Sequence, residues 1–284
     1  MSYNPNFIPG HTIQLPVLGD HLKSSAFKNG TPIHHTRYSL TFNEDRGFAI
    51  YTAHNIDGSS LIPTGRIPRR DAFRHDPHIE SNLQVDNRRG YSKNPWDRGH
   101  LVRRRSLHWR DVDEARKADS ETFYWTNITP QHSNLHHTAW SSIEEWVLNL
   151  ADKNGKQACI FTGPFLYYND PVHKNHPDEP PIKIPAGFWK IIAIKHNNEL
   201  RSAGFIVWQR DFDKSHPVEF DPVLEQVRIT TIEFITGLSF GELRDADPLR
   251  YGEGAGVTRS LSSTLGIRPG KTTIISKPSD IVLK

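Results

Sequence analysis

The sequence predicts an α+β fold, with a central antiparallel sheet flanked by helices. Three observations carry this. Residues 38–42 alternate apolar and polar with a period of two, and after the turn-forming residues 43–47 the run 48–53 reads as their antiparallel partner. Residues 158–162, 188–195 and 205–208 are apolar runs of strand length, read as core strands. Between these two sets, Trp140, Ile143, Val147 and Leu150 recur at three- and four-residue steps, the spacing of one buried helix face.

Taken in order, residues 1–30 are rich in Pro, Gly, Asn and His without a period, and predict an extended arm lying on the domain. Asn55, Asp57 and Gly58 end the second strand with turn chemistry. Residues 59–94 are polar and Arg-, Asp- and Asn-rich, a loop region long enough to suggest function. Residues 121–127 are aromatic and β-prone, closed by Pro130. Ser133 and Asn134 can cap a helix over about residues 135–150, which Asn154 and Gly155 stop. Residues 168–185 form a Pro-, His- and Asp-rich surface excursion, and residues 231–235 a helix ending at Gly237. The expected organisation is an arm (1–30), one domain (31–250) and a weakly patterned tail (251–284).

The 284 residues suffice for a sizeable core. Mean hydropathy is −0.60, and no apolar run approaches the roughly 20 residues that span a bilayer, so no membrane partner is expected. A net charge of +3 leans only mildly toward anionic partners. Arginine placement says more: Arg66, Arg69, Arg70 and Arg74 form one cluster, and Arg98, Arg103, Arg104, Arg105 and Arg110 another. The single cysteine, Cys159, lies in an apolar run and reads as a buried, inert thiol. Without a basic and apolar leader or a disulfide, a cytoplasmic location is expected, delivery by a non-classical route aside.

The chemistry concentrates around Asp97, Arg98, Gly99 and His100. An imidazole titrates near neutral pH and can deprotonate water. Arg98 offers a planar charged fork for phosphate oxygens. Gly99 permits a close approach that a Cβ would obstruct. Asp97 can orient His100 or the arginines, or sit near a metal. Singly, each residue fits a turn or a solvated face equally well. A second polar cluster follows, with Asn127, Gln131, His132, Asn134, His136 and His137 before or inside the first turn of the helix. Glu144 lies eight residues beyond His136, about 80° around an ideal helix, so one side chain could bind a cation directly and the other through water. The helix N-terminus keeps His136 neutral for ligation.

The ordered set Asp97-Arg-Gly-His100, Thr126-Asn-Ile-Thr-Pro-Gln131, Ala139-Trp140 and Ile143-Glu144 resembles the DNA/RNA non-specific endonucleases, the ββα-metal nucleases. The resemblance runs from about residue 38 to 247 and takes in residues 69–73 and 232–240. It implies a ββα-metal active-site motif within the sheet-and-helix fold, and hydrolysis of DNA and RNA to 5′-phosphate and 3′-hydroxyl ends. His100 would be the general base, Arg98 and Arg69 the phosphate and transition-state contacts, and Glu144 the carboxylate holding metal-bound water. Asn127 and Gln131 would line the substrate site with Arg103. The family's direct metal ligand is an asparagine four residues before the tryptophan; that position is His136 here. The implied cofactor is one divalent ion, Mg²⁺ or Mn²⁺, with Mn²⁺ or another transition ion favoured by the imidazole. An inhibitor or regulatory protein and a homodimer are partners such a family allows. The rival readings are a catalytically inactive nucleic-acid-binding module on a nuclease scaffold, and a histidine-rich structural zinc protein using His132, His136 and His137, which the lack of cysteine pairs disfavours.

Overall fold

In the computed structural model, residues 1–92, 94, 96–153, 155–209, 222–251 and 272–283 are described. An eight-stranded sheet runs in the order Thr273–Ile274, Leu224–Val227, Glu199–Trp208, Gly187–His196, Gln157–Phe165, Phe48–Asp57, Tyr38–Asn43 and Ile33–His35, with every neighbouring pair antiparallel. The strands expected at residues 38–42, 48–53, 158–162, 188–195 and 205–208 are present, and each is longer than its most apolar stretch. Both faces of the sheet are covered, so the central strands carry apolar residues on both sides. In Gly187–His196, Phe188, Ile192 and Ile194 join one core, and Trp189, Ile191 and Ala193 the other.

The first core lies under the long helical segment. This begins at Ser133–Leu135, passes through a π turn at His136–Trp140 and continues as Ser141–Lys153. Trp140, Ile143 and Val147 point into the sheet as their spacing predicts. The cap is His132 rather than Ser133 or Asn134: its ring accepts from the Asn134 amide at 3.2 Å. The second core is covered by Ile229–Thr236, which ends at a left-handed Gly237 (φ 71°), and by the N-terminal residues. Tyr3, Phe7, Ile8 and Ile13 are buried there, and Val17–Leu18 pairs with Leu238–Ser239. Burial pushes the Cys159 thiol up to about 12, as an inert side chain requires.

Two stretches differ from expectation. Residues 121–127 are not a strand; the helix Val112–Glu121 ends there and Trp125–Asn127 forms a 3₁₀ turn. The strand is Ile128–His132, with Pro130 inside it. Among the described residues it pairs with Trp96–His100 alone, and an outer position in such a ribbon tolerates a missing N–H. The helix Val112–Glu121 has no apolar stripe to announce it, since among its residues only Ala115, Ala118 and Asp119 are buried. Most of residues 251–271 lie outside the described residues, but residues 272–283 return to the sheet. Gln226 donates to the Val282 carbonyl and accepts from its amide, both at 2.8 Å, and Ile275, Ile281 and Leu283 pack on the first core. Among the described residues, no helix is long and apolar enough to cross a membrane.

Deleting residues 272–284 uncovers the Leu224–Val227 edge and those apolar contacts. A loss of about 2–4 kcal/mol is expected from the lost pairing of Thr273–Ile274, the Ile275 and Val282 hydrogen bonds and partial apolar exposure, read as a lower denaturation midpoint in urea. An unchanged midpoint would show that the segment only rests on the sheet.

Candidate active site

The site is built on the two-stranded ribbon Trp96–His100 with Ile128–His132, in which Asp97 faces Gln131 and Gly99 faces Thr129. Asn127 fixes the chain just past the ribbon. Its Oδ1 accepts from the Val102 amide (2.9 Å), and its Nδ2 donates to the carbonyls of Val102 (3.1 Å) and Thr122 (3.0 Å). Asn127 is fully buried and fully engaged. Expected to line the substrate site, it is placed instead as a clamp that sets the backbone just past the strand carrying His100. Gln131 is also fully buried, with neither amide atom partnered among the described residues. It packs across Gly99, where an added Cβ would meet the Gln131 Cδ at 2.1 Å. Gly99 is therefore required by a close approach of a neighbouring side chain, rather than by a positive φ.

Arg98 and His100, two apart and so on one side of the strand, both lie against Phe73: the Arg98 guanidinium is 4.5 Å from the ring centroid and the His100 ring 5.9 Å. Phe123 stands edge-on to His100 at 5.1 Å and lies 5.9 Å below the Arg69 guanidinium. Arg69 is exposed and donates to Asp71 at 2.5 Å. The three cationic and basic side chains expected to work together thus share two aromatic walls. Burial, then the charge of Arg69, then that of His136 when protonated, push His100 down to about 3; a bond from its ring to the Arg98 carbonyl opposes them. The Nε2 of His100 is enclosed and unpartnered. His100 is accordingly neutral, with a free lone pair.

Across the ribbon, the Asp97 carboxylate meets both helix imidazoles: His136 Nδ1 at 3.0 Å and His137 Nε2 at 3.1 Å from the same oxygen. Burial pushes the Asp97 carboxyl up, but the bonds to and charges of His136 and His137 outweigh it and hold it below its usual range. One ligand atom from each of the three residues lies within 4.8 Å of the others. A carboxylate oxygen with two imidazole nitrogens suits a divalent transition ion, so the donor set fits the metal that the resemblance implies. His136 lies in this cluster, whereas Glu144 does not. It faces Lys190 Nζ at 3.4 Å and Arg103 Nε at 3.9 Å. The reason is the π turn at His136–Trp140, which adds a residue to the turn and breaks the 100° step between positions 136 and 144. Arg103 is held by Glu145 at 2.8 Å as well as by Glu144, so it joins the helix to the base-bearing strand.

A family model for DNA/RNA non-specific endonucleases matches residues 20–247. The chain belongs to that family. Among its relatives, human mitochondrial endonuclease G is 25% identical over 216 residues, 72% of this chain and 67% of that protein. The Serratia marcescens nuclease is 32% identical over 145 residues, 50% of this chain and 49% of that one. The Sinorhizobium fredii protein y4fB is 35% identical over 241 residues; the match takes 78% of this chain but only 34% of y4fB's length. The crystal structure of the EndoG/EndoGI complex shares the fold, with a TM-score of 0.56 at 20% identity over 78% of this chain and 91% of that one. The fold is thus the ββα-metal nuclease fold that the motifs imply.

Within this endonuclease framework, three contributors were not singled out in the sequence, Phe73 and Phe123 as walls and Lys190, while His137, named there only as a candidate zinc ligand, is a third donor beside Asp97 and His136. Lys190 was the legible one, a lysine inside an otherwise apolar strand. The others depend on chain segments that only folding brings together.

Gly99→Ala should displace Gln131 and cost about 1–3 kcal/mol by overpacking. Gln131→Ala in the same chain should recover part of that loss, a coupling that a double-mutant cycle of urea midpoints measures. His100 gives a second expectation. Its folded pKa is lowered from 6.5 to about 3, so the folded state takes up fewer protons than the unfolded chain in that window. The stability associated with neutral His100 is present above about 6.5 and is lost as pH falls toward 3. In calorimetry with chelator, His100→Gln should flatten the fall of stability below pH 6.5, by at most about 1.4 kcal/mol per pH unit. Parallel curves would mean that water reaches the ring.

Proposed function

We propose that the chain is a divalent-metal-dependent, sugar-non-specific endonuclease that hydrolyses phosphodiester bonds of DNA and RNA, leaving 5′-phosphate and 3′-hydroxyl ends. The observation that carries this is the neutral His100, with Nε2 unpartnered, between Arg69 and Arg98 and electrostatically coupled to His136 of the metal donor set.

In this reading His100 Nε2 accepts a proton from the attacking water. Arg98, braced on Phe73, grips a non-bridging phosphate oxygen, and Arg69, exposed and held only by Asp71, turns onto the charge that grows at phosphorus. Asp97, His136 and His137 would hold the metal, which when bound supplies Lewis-acid stabilisation of phosphate and leaving-group charge. Glu144 acts from behind, fixed by Lys190 and Arg103, to keep the helix and its histidines in register. Phosphate contacts carry no base information, so sequence preference is weak. Nothing in the set addresses the 2′-hydroxyl, so both nucleic acids serve as substrates. Regulation by a bound inhibitor protein, of the kind named for the EndoG/EndoGI complex, belongs to the same proposal.

A plasmid-nicking assay tests it. Cleavage should require a divalent ion and be faster in Mn²⁺ than in Mg²⁺, with His136→Asn moving the preference toward Mg²⁺. His100→Ala should lose about 10²- to 10⁴-fold in rate while gel-shift affinity stays. Affinity without cleavage in any ion would establish the binding-module reading instead. Equal rates in both ions, untouched by His136→Asn, would reject the role of the imidazole at the metal.

A further inference from the structure

A second histidine–carboxylate cluster lies away from Asp97, where the edge strand Ile33–His35 meets the loop after Phe73. His35 Nε2 is 3.0 Å from Asp76 Oδ2, and His78 Nδ1 is 2.8 Å from Asp76 Oδ1. One ligand atom from each residue lies within 4.8 Å of the other two. We propose that His35, Asp76 and His78 form a second cation site, of the class that takes Zn²⁺ or a similar transition ion.

Three features favour a cation over a plain hydrogen-bond network. His35 is 1% exposed at its side chain, and its Nε2, though close to the carboxylate, has no partner in hydrogen-bonding alignment. A buried imidazole nitrogen left this way is costly, and a cation between the two groups satisfies it. The rings are also preset. His35 stacks on Tyr38 at 4.6 Å and tilts against Tyr124 at 5.3 Å, so it loses little freedom on ligation. Finally, Asp76 is held from outside the cluster, by Thr126 Oγ1 at 2.8 Å on its Oδ2 and by Gln84 on its backbone. Metal-binding carboxylates carry this kind of outer support. Burial pushes the Asp76 carboxyl up, but His35, the His78 amide and Thr126 outweigh it and keep it ionised for ligation.

The set is one carboxylate and two imidazoles. His78 is half-exposed, which leaves a fourth position to water and gives the ion a route in. The site would be structural. Its residues join the sheet edge to the segment that carries Phe73, and that segment is already tied to the strand side by Arg74, whose amide donates to the Phe123 carbonyl at 3.1 Å. A cation here would stiffen the aromatic wall behind His100 without touching substrate.

The test uses the full-length chain, stripped by chelator and dialysed against Zn²⁺, with bound metal counted. Wild type should hold two equivalents, and His136→Ala/His137→Ala one. Adding His78→Ala to that double variant should leave none. His78 is solvent-facing, so the fold should survive, as circular dichroism checks. In the double variant, Zn²⁺ at a hundredfold excess over its Kd should raise Tm by roughly 5 °C, and His78→Ala should abolish the rise. If the double variant binds no Zn²⁺, or keeps its equivalent after His78→Ala, the cluster is a hydrogen-bonded triad only and the proposal fails. Neither result depends on whether the chain cleaves nucleic acid.

Discussion

A lysine ammonium buried between the central sheet and the long helix holds the active-site geometry together. Lys190 sits in the middle of Gly187–His196, donates to Thr162 at 2.9 Å, faces Glu144 at 3.4 Å and lies 4.6 Å over the Trp140 ring. Burial lowers its pKa while Glu144 opposes that shift. A buried cation without its carboxylate is strongly unfavourable, so only helix registers that bring Glu144 to Lys190 are accessible. The same register sets where His136 and His137 emerge one π turn earlier, opposite Asp97. Arg103 reaches Glu144 and Glu145 from the far side and ties in the strand that ends at His100. The cost of stranding a charge therefore aligns sheet, helix and ribbon. Close by, His54 is held well below its ordinary value by burial and by the Lys190 charge, and stays neutral.

This arrangement explains what was legible in the sequence and what was not. The central strands were plain because both sheet faces are covered, so Phe188, Trp189, Ile191 and Ile192 form an apolar run broken only at position 190. Lys190 stood out as a charge inside that run, but its partners could not be read from it. The helix face was plain because Trp140, Ile143 and Val147 obey a local period. The Glu144 partner was not, because a π turn between positions 136 and 144 shifts the register while leaving the apolar stripe intact. The pairing of Asp97 with His136 spans 39 residues, and no local pattern encodes it. Asn127 was legible as an important polar residue but not as a clamp. Whether an amide faces substrate or backbone depends on the direction of the chain at Leu101 and Val102. The cluster at His35, Asp76 and His78 fell in a stretch legible only as loop, with its third member in a strand far upstream.

The two sides of the ribbon are opposite in electrostatic character. On one side, Arg69 and Arg98 surround a neutral imidazole that is largely shut away from water. On the other, Asp97 carries negative charge between two helix imidazoles. Both sides serve one scissile bond in the proposed mechanism: Asp97, His136 and His137 would hold the ion while Arg69 and Arg98 meet the phosphate, and the charge of His136 already reaches His100. Gln131 fills the space that a side chain at Gly99 would need.

The field on the first side also bears on base strength. Burial and Arg69 together hold His100 far below the pKa of a good base at neutral pH, which taken alone would make it a weak proton acceptor. In the proposed mechanism a bound phosphodiester would bring negative charge to the same arginines. Pairing with it cancels much of the Arg69 term and places an anion near the imidazole, and both effects raise the proton affinity of His100. In the proposed mechanism the ring stays unprotonated while the site is empty and would gain basicity when a backbone phosphate is seated, so that substrate binding and activation of water would be coupled through electrostatics.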